Sequence, residues 1–115
     1  MTKKQIKKFD LEELFCLIKN KISDQEKSSY TYELANAGVE KITRKIGEEA
    51  IEVVIAAFVN DKKKNKKTRD DLIGEVSDLF YHNLVLLASQ NIEFDEVLKE
   101  LNNRNKTKNN VNKTK

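Results

Sequence analysis

The stretch VEKITRKIGEEAIEVVIAAFV at residues 39–59 sets Ile42, Ile46, Ala50, Val53 and Ala57 at three- and four-residue intervals. That spacing returns the apolar residues to one side of an α-helix, where successive residues are about 100° apart. Taking Glu49 as origin, Ile42 lies about 20° away, Val53 about 40° and Ile46 about 60°, all on the same side. Glu49 therefore stands inside the apolar sector. Glu52 and Lys45 flank it on the opposite edge at about 60° and 40°, and Glu48, about 100° away, turns further towards solvent.

A second stretch, DDLIGEVSDLFYHNLVLLAS at residues 70–89, repeats the arrangement, with Leu72, Val76, Leu79, Phe80, Leu86 and Leu87 on its inner side. Around Glu75, Leu79 and Leu72 fall on one side and Asp71, Asp78 and His82 on the other, each within about 60°. If the two helices are antiparallel neighbours, their acidic edges face each other and form a site of four carboxylates, Glu49, Glu52, Glu75 and Asp78. Several like charges bordering an apolar seam require a cation or a proton. The ligands are all oxygen, which suits a hard divalent ion such as Mg2+ and points to phosphate chemistry. The Glu-x-x-His pattern of di-iron bundles is absent.

Outward from these two helices, Asp10 and Glu13 open a first helix over 10–22, with a stripe of Leu11, Leu14, Phe15, Leu17, Ile18 and Ile22. A short helix over 31–37 ends at Gly38, and a last one spans 94–101 through Val97, Leu98 and Leu101. The run NDKKKNKKTR at 60–69 contains no apolar residue and reads as a solvated connection. The fold class is all-α: a bundle of about five helices built on two long antiparallel ones and completed by dimerisation. Pro is absent, Gly occurs three times and 36% of residues are charged, which favours helix over strand.

The 115 residues suit one domain over 1–101, followed by a disordered Asn/Lys-rich tail over 102–115. The net charge of +3 belongs to that tail, whose five basic residues and lack of acids leave the body at −2. No aromatic interleaves its lysines, so nucleic acid is not the expected partner. The one cysteine, Cys16, lies among apolar residues and reads as a small core side chain in a reducing compartment. No apolar run is long enough to span a membrane, and a soluble, cytoplasmic protein is expected.

Taken together, these residues resemble the phosphoribosyl-ATP pyrophosphatase family of histidine biosynthesis, within the all-α MazG-like nucleoside triphosphate pyrophosphohydrolases. The broad pattern, EExxE followed by ExxD, is met at Glu48, Glu49, Glu52, Glu75 and Asp78. The narrower likeness rests on Ser29-Tyr30-Thr31, on Lys45 to Ala50, and on Asp78-Leu79-Phe80-Tyr81-His82 running into Leu84 to Leu87. It covers roughly 11–101. The lysine-rich connection, Asn83 and the Asn/Lys tail depart from the family pattern without touching the metal motif.

The resemblance implies Mg2+-dependent hydrolysis of 1-(5-phosphoribosyl)-ATP to 1-(5-phosphoribosyl)-AMP and pyrophosphate. It implies Glu49, Glu52, Glu75 and Asp78 as metal ligands and Glu48 as a further ligand or a water-orienting group. Lys45 is the foremost phosphate contact, followed by Lys41 and Arg44, with Tyr30, Thr31 and His82 on the substrate side. His82, the only histidine, also reads as a hydrogen-bonding packing residue. Family members pair as dimers. Many are fused to a cyclohydrolase, whose zinc site one cysteine and one histidine are too few to build, so a stand-alone form is expected. A MazG-like enzyme acting on other nucleoside triphosphates is the nearest alternative, and a non-enzymatic helical interaction module is the alternative of another class.

Overall fold

The computed structural model describes residues 9–25 and 27–106. Among the described residues five helices follow one another: α1 (Leu11–Ser23), α2 (Tyr30–Ala37), α3 (Val39–Lys63), α4 (Lys66–Ser89) and α5 (Phe94–Lys106). There is no strand among the described residues, and the fold is all-α. Local chemistry sets the helix starts. The Asp10 side chain accepts from the Glu13 amide at 2.9 Å, and the Ser29 hydroxyl accepts from the Tyr32 amide at 3.2 Å. Gly38 joins α2 to α3 at φ 108°, ψ 171°, a conformation open to glycine and strained for other residues.

The frame of the molecule is the α3–α4 hairpin, the most extensive helix pairing in the chain. Glu49 meets His82 and Asn60 meets Thr68, so the residue number rises along one helix as it falls along the other. The two helices are antiparallel, as their spacing predicts.

The turn differs from expectation. Instead of a solvated connection over 60–69, α3 runs to Lys63, α4 begins at Lys66, and only Lys64 and Asn65 lie between. A polar stretch without Gly or Pro is free to be helical, because Lys and Arg are good helix formers. Lys62 and Lys63 favour the negative end of α3, while Lys66 and Lys67 pair with Asp70 and Asp71 at 2.8 and 2.9 Å. Lys64 takes the left-handed conformation at φ 47° that ends α3. Buried Thr68 then locks the turn. Its amide donates to Asn65 Oδ1 at 2.9 Å, its Oγ1 accepts from the Asn65 amide at 3.1 Å, and its hydroxyl donates to Asn60 Oδ1 at 2.8 Å.

The core gathers at the other end of the hairpin, where Phe15 and Ile18 of α1, Leu34 of α2, Ile42 of α3, and Leu84 and Val85 of α4 meet. Each such side chain contributes about 1.5–3 kcal/mol by leaving water. α5 docks through Phe94, whose ring centre lies 6.2 Å from that of Phe15. The nearby Lys19–Glu93 pair, at 3.0 Å, is half-exposed and worth at most about 1 kcal/mol, so the aromatic contact dominates.

Two further expectations change. Cys16 is exposed, because the buried face of α1 runs through Leu14, Phe15, Ile18 and Ile22 and turns the intervening residues outward. α5 continues five residues into the stretch expected as a tail, with the Arg104–Glu100 pair at 2.9 Å along its last turns. The remainder of that stretch, 107–115, lies outside the described residues.

Thr68→Val keeps the shape of the side chain and removes its hydroxyl. It should destabilise the chain by about 1–2 kcal/mol, because the Asn65 amide loses its acceptor in the capping box and the half-buried Asn60 amide oxygen loses its donor. Urea unfolding read by circular dichroism checks this; an unchanged midpoint would show that the turn does not depend on Thr68.

Candidate active site

Glu49 is the carboxylate of the site most completely removed from solvent, at 6% exposure, in keeping with its place inside the apolar sector of α3. A carboxylate in such a seam needs a partner, and Glu49 Oε1 lies 2.5 Å from His82 Nδ1. The same nitrogen lies 2.9 Å from the Asp78 backbone oxygen, which can only accept. Nδ1 therefore carries the proton, an assignment made from the hydrogen-bond network. Nε2 is left as an acceptor 2.7 Å from the Tyr30 hydroxyl. Burial, above all, raises the Tyr30 pKa over the usual phenol value, with Lys45 opposing and Glu49 and Asp78 adding to the rise. Tyr30 keeps its proton and donates it to His82.

Around this line the packing is aromatic. The Tyr30 and Tyr81 rings both meet the imidazole edge-on, with centres 5.7 Å from it. Tyr81 in turn shares a hydrogen bond with the Thr31 hydroxyl. Thr31, expected near the substrate, is buried in this contact. His82, expected on the substrate side, is buried with both ring nitrogens engaged by protein groups. Its reading as a hydrogen-bonding packing residue agrees with this place.

One turn further towards the hairpin bend, Glu52 of α3 and Glu75 of α4 approach each other. The Glu75 pKa is raised above the usual carboxyl value, first by hydrogen bonding with the Glu52 carboxyl. Burial and the negative charges of Glu52, Asp78 and Glu49 raise it further. Glu75 Oε1 is hidden from solvent and has no hydrogen-bond partner. Glu49, Glu52, Glu75 and Asp78 thus share one electrostatic neighbourhood.

They line it without closing on a point: among the described residues no three Asp, Glu, His or Cys side chains form a tight ligand cluster. An all-oxygen donor set with one hidden, unpartnered carboxylate oxygen fits a hard divalent cation.

The remaining expected residues lie further out. Glu48 is exposed at the rim, with its Oε1 4.0 Å from Lys45 Nζ. Lys45 is half-buried and close enough to Tyr30 to act on its proton. Lys41 and Arg44 are exposed on α3. Beside Glu52 and Glu75 opens a cleft of about 300 Å³, walled by Ile55, Ala56 and Val59 on one side and by Asp71 on the other. Neither this cleft nor the part of Tyr81 is apparent from helical spacing, because both depend on how separate helices meet. The Tyr81-His82 pair, next to the acidic edge of its helix, was the available signal.

Residues 11–105 match the family model described as phosphoribosyl-ATP pyrophosphohydrolase. The chain is 47% identical to a phosphoribosyl-ATP pyrophosphatase of Listeria monocytogenes serotype 4b, over 82% of this chain and 84% of that protein. It is 42% identical to the phosphoribosyl-ATP pyrophosphatase of Metallosphaera sedula, over 84% of this chain and 96% of that one. It is also 40% identical to the histidine biosynthesis bifunctional protein HisIE of Blochmanniella floridana, over 87% of this chain but only 45% of that longer protein. Since the family match runs from the first residue of α1 into the last turn of α5 and includes every carboxylate of the groove, the chain belongs to the phosphoribosyl-ATP pyrophosphohydrolase family.

Proposed function

We propose that this chain hydrolyses 1-(5-phosphoribosyl)-ATP to 1-(5-phosphoribosyl)-AMP and pyrophosphate in histidine biosynthesis, with Mg2+ held by Glu49, Glu52, Glu75 and Asp78. Family membership and the names of the relatives support the substrate. The observation that carries the chemistry is Glu75, whose hidden oxygen lacks a partner and whose pKa is raised, first by contact with Glu52, then by burial and by the charges of Glu52, Asp78 and Glu49. A divalent cation in the groove satisfies that oxygen and relieves the repulsion together.

When bound, Mg2+ neutralises the triphosphate and polarises the α-β phosphoanhydride. The protein's own groups act by position. Glu48, at the exposed rim, orients the attacking water, and Lys45 takes a phosphate oxygen of the substrate. Lys41 and Arg44, exposed on the same helix, attract the polyanion from further away. The aromatic packing of Tyr30 and Tyr81 about His82 keeps water from beneath the groove.

The same reading takes the protein as a cytoplasmic homodimer. Ile51, Val54, Ile55, Phe58 and Ile73 are each half or more exposed, and a second copy packed on them would take them out of water.

Pyrophosphate release from phosphoribosyl-ATP, measured beside a panel of ordinary nucleoside triphosphates, should require Mg2+ and stop with a chelator. Release from the panel alone would move the chain to general nucleotide hydrolysis. Glu52→Gln and Asp78→Asn should remain folded and lose more than about 100-fold in kcat, beyond the loss typical of an outer-shell partner. Activity retained in both would overturn the ligand assignment.

Glu75 also makes stability depend on pH. Its folded pKa lies above the unfolded value of 4.5, so its contribution is full below that value and is lost as pH rises through the folded pKa. In the absence of divalent ions, thermal melts taken from pH 4 upward should show this falling limb. Glu75→Gln should flatten it, and added Mg2+ should restore wild-type stability at its upper end. The same slope in the Gln variant would assign the limb to another group.

A further inference from the structure

We infer that His82 and Tyr30 are positioning residues that hold Glu49 with one carboxylate oxygen turned inward, so that the other alone is presented to the groove. The inference rests on the reading of Glu49 as a cation ligand and adds to it the means by which that ligand is oriented. Glutamate has several rotatable bonds, and a ligand that must be ordered on binding weakens the site. Here the ordering is done in advance. Glu49 Oε1 is held at 2.5 Å by His82 Nδ1, leaving Oε2 as its free donor.

The imidazole is itself fixed from three helices. The Asp78 backbone oxygen, one turn back on α4, lies 2.9 Å from Nδ1, and the Tyr30 hydroxyl on α2 lies 2.7 Å from Nε2. With Nε2 occupied as an acceptor, the proton stays on Nδ1, where it faces Glu49. Tyr30 is the first residue of α2, directly after the Ser29 cap, and is 48% exposed, so its ring borders solvent while its hydroxyl points inward. His82 is only 5% exposed and has no free ring nitrogen to offer a substrate. It acts through Glu49. This is the outer-shell arrangement that orients a ligating side chain, with the histidine supporting a carboxylate.

A plain packing role predicts loss of stability in proportion to lost contacts and no specific effect on cation affinity. Three variants separate the two roles. His82→Leu removes both polar contacts. His82→Asn retains an N–H close to the Nδ1 position. Tyr30→Phe removes only the hydroxyl from a half-exposed ring and should fold even if the His82 variants do not.

Each protein is titrated with Mn2+ alone, followed by calorimetry and by the paramagnetic resonance of free Mn2+, and each is melted thermally. kcat and KM are then measured with phosphoribosyl-ATP and Mg2+. Tyr30→Phe and His82→Leu should bind Mn2+ about 10 to 100-fold more weakly, with kcat falling and KM changing by less than about threefold. His82→Asn should recover most of the affinity lost in His82→Leu.

Wild-type Mn2+ affinity in folded Tyr30→Phe and His82→Leu overturns the positioning role and leaves the cation site standing. So does a Tyr30→Phe protein whose KM rises with kcat unchanged, since Tyr30 would then be a substrate contact. A wild-type chain that binds no Mn2+ overturns this inference together with the metal reading under it.

Discussion

The structure depends on a carboxylate buried between two antiparallel helices. Glu49 lies within the apolar seam of α3 and α4, where an unpaired charge is costly, and its contact with His82 satisfies it. The pairing fixes the register. Once residue 49 is beside residue 82, antiparallel geometry brings Glu52, one turn along α3, towards Glu75, two turns along α4, and Asn60 to Thr68 at the bend. The groove is thus a consequence of one register, held at its far end by the Thr68 hydroxyl and at its near end by the core around Ile42 and Val85.

The short helix α2 belongs to the same constraint. It is eight residues long, too short to be stable alone, and its place comes from Leu34 in the core together with Tyr30 and Thr31 on α4. Gly38 provides the sharp change of direction that lets α2 fold back while α3 sets off along the hairpin. Polar contacts at one end of α2 and apolar burial at the other leave its first residue over the buried histidine. A helix included only for packing would not need its Tyr hydroxyl turned towards an imidazole.

Much of this was legible in the sequence, and the reasons differ by residue. The 3.6-residue period puts Glu49 inside an apolar sector and Glu48 well outside it; the first is buried and the second exposed. The acidic edge of the second long helix follows from the same arithmetic. The period says nothing of where polar helices stop, which is why 60–69 read as a loop and proved to be mostly helix. Nor does it tell a core residue from its neighbour when the apolar run is dense, as Cys16 shows among Leu14, Phe15, Leu17 and Ile18. The contacts of Tyr30, Thr31 and Tyr81 lie beyond such reading, because they join residues about fifty positions apart, on α2 and α4, whose mutual packing no local pattern specifies.

The groove and the exposed apolar face of the hairpin are also not independent. Ile55 and Val59 stand in the wall of the cleft that Glu52 and Glu75 border, and both belong to the outward apolar surface of α3. Whatever covers that surface removes water from beside the acidic pair. Coulomb repulsion among the carboxylates grows as the surrounding dielectric falls, and so does the attraction of the set for a cation. Covering the apolar face and loading the acidic groove therefore favour each other, since each removes a penalty that the other would otherwise increase. This coupling is a consequence of following EExxE with Ile55 and Val59: on a helix both fall within about 60° of Glu52, so isoleucine and valine come up against the edge on which the acids gather.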